Sequence, residues 1–184
     1  RNLRLYEKGQ PNIITFEESK VTSYAPQDKN ATVTISDNFQ EIEIEGNGWK
    51  KVALDYEITD KTILEFEFKS NIKGEIQGIG FDTDEKFGSD DDKKLLFQLE
   101  GTQQVGVTDF KDDVTGEGWK TYKIEVAQGG FTGDVNYLTF INDHDGGKKN
   151  AHSQFRNIKI YEGNSNNLKH AKSTEDSNSD VVLT

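Results

Sequence analysis

Leu64-Glu65-Phe66-Glu67-Phe68-Lys69 puts three large apolar side chains at every second position and three charges between them. In an extended chain successive side chains point to opposite faces, so this stretch has one buried and one wet face. The pattern recurs. Gln40 to Glu45 turns Ile42 and Ile44 inward, and Leu95, Phe97 and Leu99, then Tyr122, Ile124 and Val126, repeat it. Tyr137-Leu138-Thr139-Phe140 and Ile158-Lys159-Ile160 continue it, whereas helical periodicity is weak throughout. Turn chemistry separates the runs at Gly46-Asn47-Gly48, Gly116-Glu117-Gly118, Gly129-Gly130 and Gly146-Gly147. Pro11 and Pro26 lie outside every strong strand, as ladders that need their N–H groups require. The expected fold is all-β: a two-sheet antiparallel β-sandwich of jelly-roll type, each sheet with one wet face.

Composition narrows the function. Among 184 residues, 22 Lys and Arg face 33 Asp and Glu, a net charge of −11, and 32% are hydrophobic. A nucleic-acid binder needs a basic surface, and a membrane-spanning helix needs about 20 consecutive apolar residues. Neither is present, so no nucleic acid and no membrane insertion are expected. With no Cys, no disulfide supports the modest apolar content, although a metal can. The chain opens at Arg1 and has no Met, which suggests a mature or excised fragment. No catalytic residues are assigned. His144, His152 and His170 have no zinc-site spacing, and no nucleophile elbow, P-loop or dinucleotide fingerprint occurs.

Two internal likenesses bear on organisation. Gly46-Asn47-Gly48-Trp49-Lys50 and Gly116-Glu117-Gly118-Trp119-Lys120 each set a tight turn before a Trp that opens a strand, and both Trp are expected to close the sandwich end. Asn2-Leu3-Arg4-Leu5-Tyr6-Glu7 matches Asn157-Ile158-Lys159-Ile160-Tyr161-Glu162. Residues 1–9 are therefore either the tail of a preceding module or an edge strand, and residues 10–162 form the sandwich. Residues 163–184, rich in Ser, Asn and Asp, bury too little to offset their ordering entropy and are expected to be a disordered linker.

Paired acids carry the chemical signal. Asp82-Thr83-Asp84 follows the strand ending at Phe81, and Asn142-Asp143-His144-Asp145 follows the strand ending at Ile141. Residues two apart project together, so each pair aims two carboxylates at one region. Such pairs also suit solvated corners. If the two pairs meet, Ca²⁺ with 6–8 oxygen ligands relieves their repulsion, Asn142 adding a neutral oxygen. Glu17, Glu18 and Asp28 are candidates for a second, structural calcium that ties the N-terminal segment to the sandwich. Asp90-Asp91-Asp92, before Lys93-Lys94, reads as a solvated loop, as does Asp112-Asp113. Sugar rings stack on aromatic faces while polar side chains read their hydroxyls. Phe87, Phe110 and Phe131, with Tyr24, are candidate platforms or core residues, and Lys86, Gln103 and His144 are polar candidates beside them.

Gly46 to Lys50, Thr62 to Phe68, Gly74-Glu75-Ile76-Gln77-Gly78-Ile79-Gly80-Phe81-Asp82-Thr83-Asp84, Phe140 to Asp145 and Phe155-Arg156-Asn157-Ile158 together resemble non-catalytic modules of secreted bacterial polysaccharide-degrading enzymes. The likeness is to calcium-dependent β-sandwich carbohydrate-binding families, including xylan binders in which the metal contacts sugar hydroxyls, and covers about residues 10 to 162. It implies bound Ca²⁺, a polysaccharide ligand, an attached catalytic domain and a secreted or cell-surface location. Asp82, Asp84, Asp143 and Asp145 match its acidic strand-end positions, whereas Val105 stands where an aromatic is expected. The chain is expected to act as a monomeric accessory module, not an enzyme. The alternatives are a small sandwich hydrolase or lyase, and a structural or adhesive surface repeat.

Overall fold

The computed structural model describes residues 10–163, apart from positions 25 and 30. Expectations for residues 1–9 and 164–184 lie outside the described residues. Eleven strands are described: β1 Asn12–Ile13, β2 Thr22–Ser23, β3 Thr32–Ile35, β4 Glu41–Glu45, β5 Gly48–Ile58 and β6 Thr62–Ile72, then β7 Ile76–Asp82, β8 Leu96–Glu100, β9 Lys120–Glu125, β10 Gly133–Asp143 and β11 His152–Glu162. One sheet runs β3-β4-β11-β6-β9, with β1 also on β11, and the other runs β2-β5-β10-β7-β8. Every pairing between these strands is antiparallel, giving the two-sheet sandwich that the alternation predicts.

The core lies between the sheets. Ile42, Ile44, Leu64, Phe66, Phe68, Phe155 and Ile160 come from the first sheet, and Ile79, Phe97, Leu99, Leu138 and Phe140 from the second. Aromatic edges interlock at the centre: Phe155 lies 5.0 Å from Phe68 and 5.2 Å from Phe140, and Phe16 lies 5.6 Å from Phe140. Each fully buried side chain of this size contributes about 1.5–3 kcal/mol relative to exposure.

The two outer faces differ. The outer face of the first sheet is wet and charged, with Arg156 bonded to Glu67 at 2.5 Å and Lys159 to Glu65 at 3.3 Å. The outer face of the second sheet is covered over β7, β8 and the adjoining ends of β5 and β10, which departs from the expected wet face, while Ala53, Asp55, Glu57 and Asp134 stay exposed. All seven residues of β7 are buried. The cause is two segments that fold back over it. The 83–89 loop is tied down by Asn136 donating to the Thr83 carbonyl at 2.6 Å and by Lys51 against Glu85 at 3.0 Å. The 101–107 segment bonds along β8, Val107 N–H to Leu96 O at 2.8 Å and Gln98 N–H to Val107 O at 2.9 Å. Tyr24, Trp49, Ile76, Leu96 and Ile141 form a second apolar cluster there, with Phe87 and Val105 packed on it.

Two local expectations are corrected. The Trp residues lie on the two outer faces rather than across the sandwich end: Trp49 is buried on the second sheet, and Trp119 lies half-buried on the first with the Arg156 guanidinium 4.0 Å from its ring centre. Asp90–Leu95 is a short helix, α1, rather than a solvated loop. Ser89 caps the Asp92 N–H, Asp92 reaches back to the Ser89 N–H, and acids at its start and lysines at its end complement the helix dipole.

Candidate metal and glycan site

Antiparallel pairing decides which acids meet. In the β7–β10 register Asp82 stands opposite Tyr137 and Asp143 opposite Ile76. Six residues of paired strand separate the two positions, about 20 Å at 3.4 Å per residue. The expected convergence of the 82/84 pair with the 143/145 pair is therefore overturned: the pairs sit at opposite ends of one ladder. What lies beside Asp143 is the start of β7. Glu75, just before Ile76, donates its N–H to the Asp143 carbonyl at 2.8 Å.

Glu75, Asp143 and Asp145 form the one group of three or more acidic or His ligands within reach of a shared ion among the described residues, with ligand oxygens within 4.8 Å of one another. Donors at 2.3–2.6 Å from a single Ca²⁺ can be no more than about 5 Å apart, so the spacing and the all-oxygen chemistry fit a hard cation. Two of the three carboxylates, Asp143 and Glu75, are held. Trp49 Nε1 donates to Asp143 Oδ1 at 2.8 Å. Gly146 N–H and Gln103 Nε2 donate to the two Glu75 oxygens at 2.9 and 3.0 Å. The His144 N–H donates to Asn47 Oδ1 at 3.1 Å, and the buried His144 Nδ1 has no hydrogen-bond partner among the described residues.

Electrostatics separates Glu75 from Asp143. The Gly146 N–H, above all, holds the Glu75 carboxyl below its ordinary range. Burial pushes the Asp143 carboxyl up; the Trp49 hydrogen bond opposes this, and the charges of Asp145 and Glu75 add to it. A cation between them would reverse that upward push.

The remaining candidates fall elsewhere. Asp82 is fully buried; its Oδ1 accepts the Asp84 and Glu85 N–H groups at 2.7 and 3.2 Å, and its Oδ2 has no partner among the described residues. Burial pushes its carboxyl up. Asp84 accepts from the Lys86 N–H at 2.9 Å, so the pair and the exposed Lys86 organise the 83–89 loop. Asn142 is no outward ligand. Its amide nitrogen donates to the carbonyls of Ile44, Gly46 and Ala151, and its oxygen accepts from Gln77 and Ser153, all inside the sandwich. Glu17 pairs with Lys20 at 2.6 Å on the surface. Asp28 is neutralised by Lys50 at 2.6 Å and bonded by Ser23 at 2.5 Å. The two do not form the expected second ligand group.

Of the carbohydrate candidates, Gln103 and His144 belong to the Glu75 cluster. Phe87 packs edge-on against Trp49 with ring centres 5.0 Å apart, which joins its loop to the residue that holds Asp143. Phe110 and Phe131 pack on the main core, Phe110 edge-on to Phe97 at 6.0 Å, so neither is a free platform; Tyr24 is buried. Glu75, Trp49 and Asn47 were not among the expected site residues. Antiparallel geometry is the signal that finds Glu75: the residues beside a strand's end are those at its partner's beginning.

No family model matches the chain, and no curated protein does. Solved structures do. The glycoside hydrolase domain of Endo-D from Streptococcus pneumoniae R6 is 17% identical with a TM-score of 0.46, over 77% of this chain and 21% of that one, so the chain spans about a fifth of its length. A family 30 carbohydrate binding module is 16% identical with a TM-score of 0.41, over 85% of this chain and 96% of that module. The family 11 carbohydrate-binding module from Clostridium thermocellum, solved with a β-1,3-1,4-mixed-linked tetrasaccharide, is 13% identical with a TM-score of 0.38, over 78% and 89% of the two chains.

Proposed function

We propose that this chain is a non-catalytic module that binds a polysaccharide outside the cell, with a calcium ion held by Glu75, Asp143 and Asp145, and that it keeps an attached glycan-degrading domain near its substrate. The observation that carries the reading is the convergence of those three carboxylates beside Trp49, Phe87 and Gln103. Calcium takes 6–8 oxygen ligands, and positions not filled by protein are open to vicinal sugar hydroxyls. This chain's residues set the rest: Trp49 fixes the Asp143 carboxylate and Gln103 that of Glu75, Gly146 orients Glu75, and Asn47 anchors the backbone between Asp143 and Asp145. Tethering would raise the effective concentration of the partner domain at the glycan. A net charge of −11 favours neutral glycans over sulfated or uronate-rich ones, within screening of about 8 Å at physiological salt.

Two measurements test this. Calorimetric titration of chelator-stripped protein with CaCl₂ is expected to give one binding event, weakened roughly tenfold or more in Glu75→Gln because a charged ligand is lost. Affinity gels cast with xylan, β-glucan or mannan are expected to retard the chain in calcium and release it in chelator. Absence of metal binding removes the calcium half of the reading, and failure to be retarded by any of the gels removes the glycan half.

A further inference from the structure

The 101–104 segment has two sides. Thr102 and Gln103 donate their N–H groups to the carbonyls of Gly74 and Glu75 at 3.2 and 2.9 Å, which binds the segment to the turn that carries Glu75. The Gln103 side chain goes to the carboxylate cluster, whereas Gln104 lines an open groove of about 460 Å³ with Lys73, Thr108, Lys111, Asp112 and Asp113. That is within the usual size of a small-ligand site.

The groove's charged side chains are held in place. Lys73 Nζ lies 2.6 Å from Asp113 and 3.5 Å from the buried Glu100, Lys111 Nζ donates to the Gln103 carbonyl at 2.9 Å, and Asp112 accepts from Lys120 at 2.5 Å. Two lysines offset two aspartates, and no aromatic or large aliphatic residue lines it. A balanced lining of fixed donors and acceptors suits a neutral polyhydroxylated ligand better than an anion, a cation or an apolar molecule.

We infer that this groove continues the glycan site, taking further sugar units of a neutral polysaccharide whose neighbouring units lie at Glu75, Asp143 and Asp145; this rests on the glycan reading above. Gln103 is the shared wall, its side chain on the carboxylates and its carbonyl on Lys111. Affinity should therefore grow with chain length.

The test is calorimetric titration of the calcium-loaded full chain with the dimers and hexamers of the xylo-, cello- and manno-oligosaccharide series. The expected result is a hexamer bound about tenfold or more tightly than its dimer, with Gln104→Ala/Asp113→Ala removing about tenfold from the hexamer and less than about twofold from the dimer. If that variant does not fold, Gln104→Trp, which fills the groove without touching the ion pairs, should have the same effect. Equal dimer and hexamer affinities, an unchanged hexamer affinity in the variant, or an equal loss for both lengths would each overturn the inference. Glu75→Gln should weaken both lengths. If the unaltered chain binds no oligosaccharide of any series, the glycan reading itself fails, and the groove assignment falls with it.

Discussion

Trp49 and Asp143, 94 positions apart in sequence, are joined by a 2.8 Å hydrogen bond from the indole N–H to the carboxylate. Trp49 stands opposite Ile141 in the β5–β10 ladder, and its outward ring reaches the next outward side chain of β10. Replacing Trp49 with Phe keeps an apolar ring beside Phe87 but leaves the partly buried carboxylate one donor short. The expected cost is about 1–3 kcal/mol in urea unfolding. A change below about 0.5 kcal/mol, the usual range for neutral surface substitutions, would show that the bond does not matter to the fold.

The pH dependence of the metal-free chain should carry the mark of Asp143. Burial raises its carboxyl above the ordinary 3.8, so the folded state holds the proton more tightly than the unfolded state does. Its contribution is then most favourable in acid and is lost as pH rises from 3.8 through the raised folded value. Asp143→Asn removes this titration while its amide oxygen can still accept from Trp49. Without calcium the variant should exceed the unaltered protein at pH 7 by on the order of 1 kcal/mol, with the gap closing towards acid. With calcium the order should reverse, because a ligand has been lost. Urea midpoints at several pH values, with and without the ion, check both signs.

The strand alternation made the sandwich legible, because Leu64, Phe66 and Phe68 or Ile42 and Ile44 fit the core in only one register. The site was half legible. Asp143 and Asp145 stand out as an acidic strand end, but their partner depends on which strand lies alongside and in which direction. Once β7 runs antiparallel to β10, Asp82 must lie far from Asp143 and Glu75 must lie near it. No local pattern states that pairing. The need for Gly78 and Gly80 was hidden for a similar reason: they look like gaps in an alternating pattern until the neighbouring backbone is known, with the Phe97 and Leu95 carbonyl oxygens each 2.5 Å from where their Cβ atoms would stand. Asp92 is the opposite case, since Ser89 three residues earlier is a capping-box signal.

Asn142 should tolerate very little. Asn142→Asp keeps the shape but turns a donor facing the carbonyls of Ile44, Gly46 and Ala151 into an acceptor, and it buries a charge with no counter-ion described beside it. A loss of about 3–5 kcal/mol is expected in chemical denaturation, and a loss under about 1 kcal/mol would show that the carbonyls find other donors.

Gly78 is required by close approach. A Cβ there would meet the Phe97 carbonyl oxygen at 2.5 Å and Gln98 Cα at 3.3 Å, so β8 would have to move outward. Gly78→Ala should cost about 1–3 kcal/mol. It should also speed amide exchange at Val107 and Gln98, whose bonds attach the 101–107 segment to β8. Exchange measured at those two amides distinguishes this local loosening from a uniform loss of stability.

The Asn142 carboxamide reaches from β10 to carbonyls of β4, Gly46 and Ala151, and through Ser153 to β11, bolting one layer to the other directly beneath Asp143. The layers cannot slide past each other there without breaking several buried bonds at once. A molecule arriving above Asp143 therefore meets a surface whose shape is already set, and its capture should be governed by encounter rate and residence time rather than by rearrangement of the host.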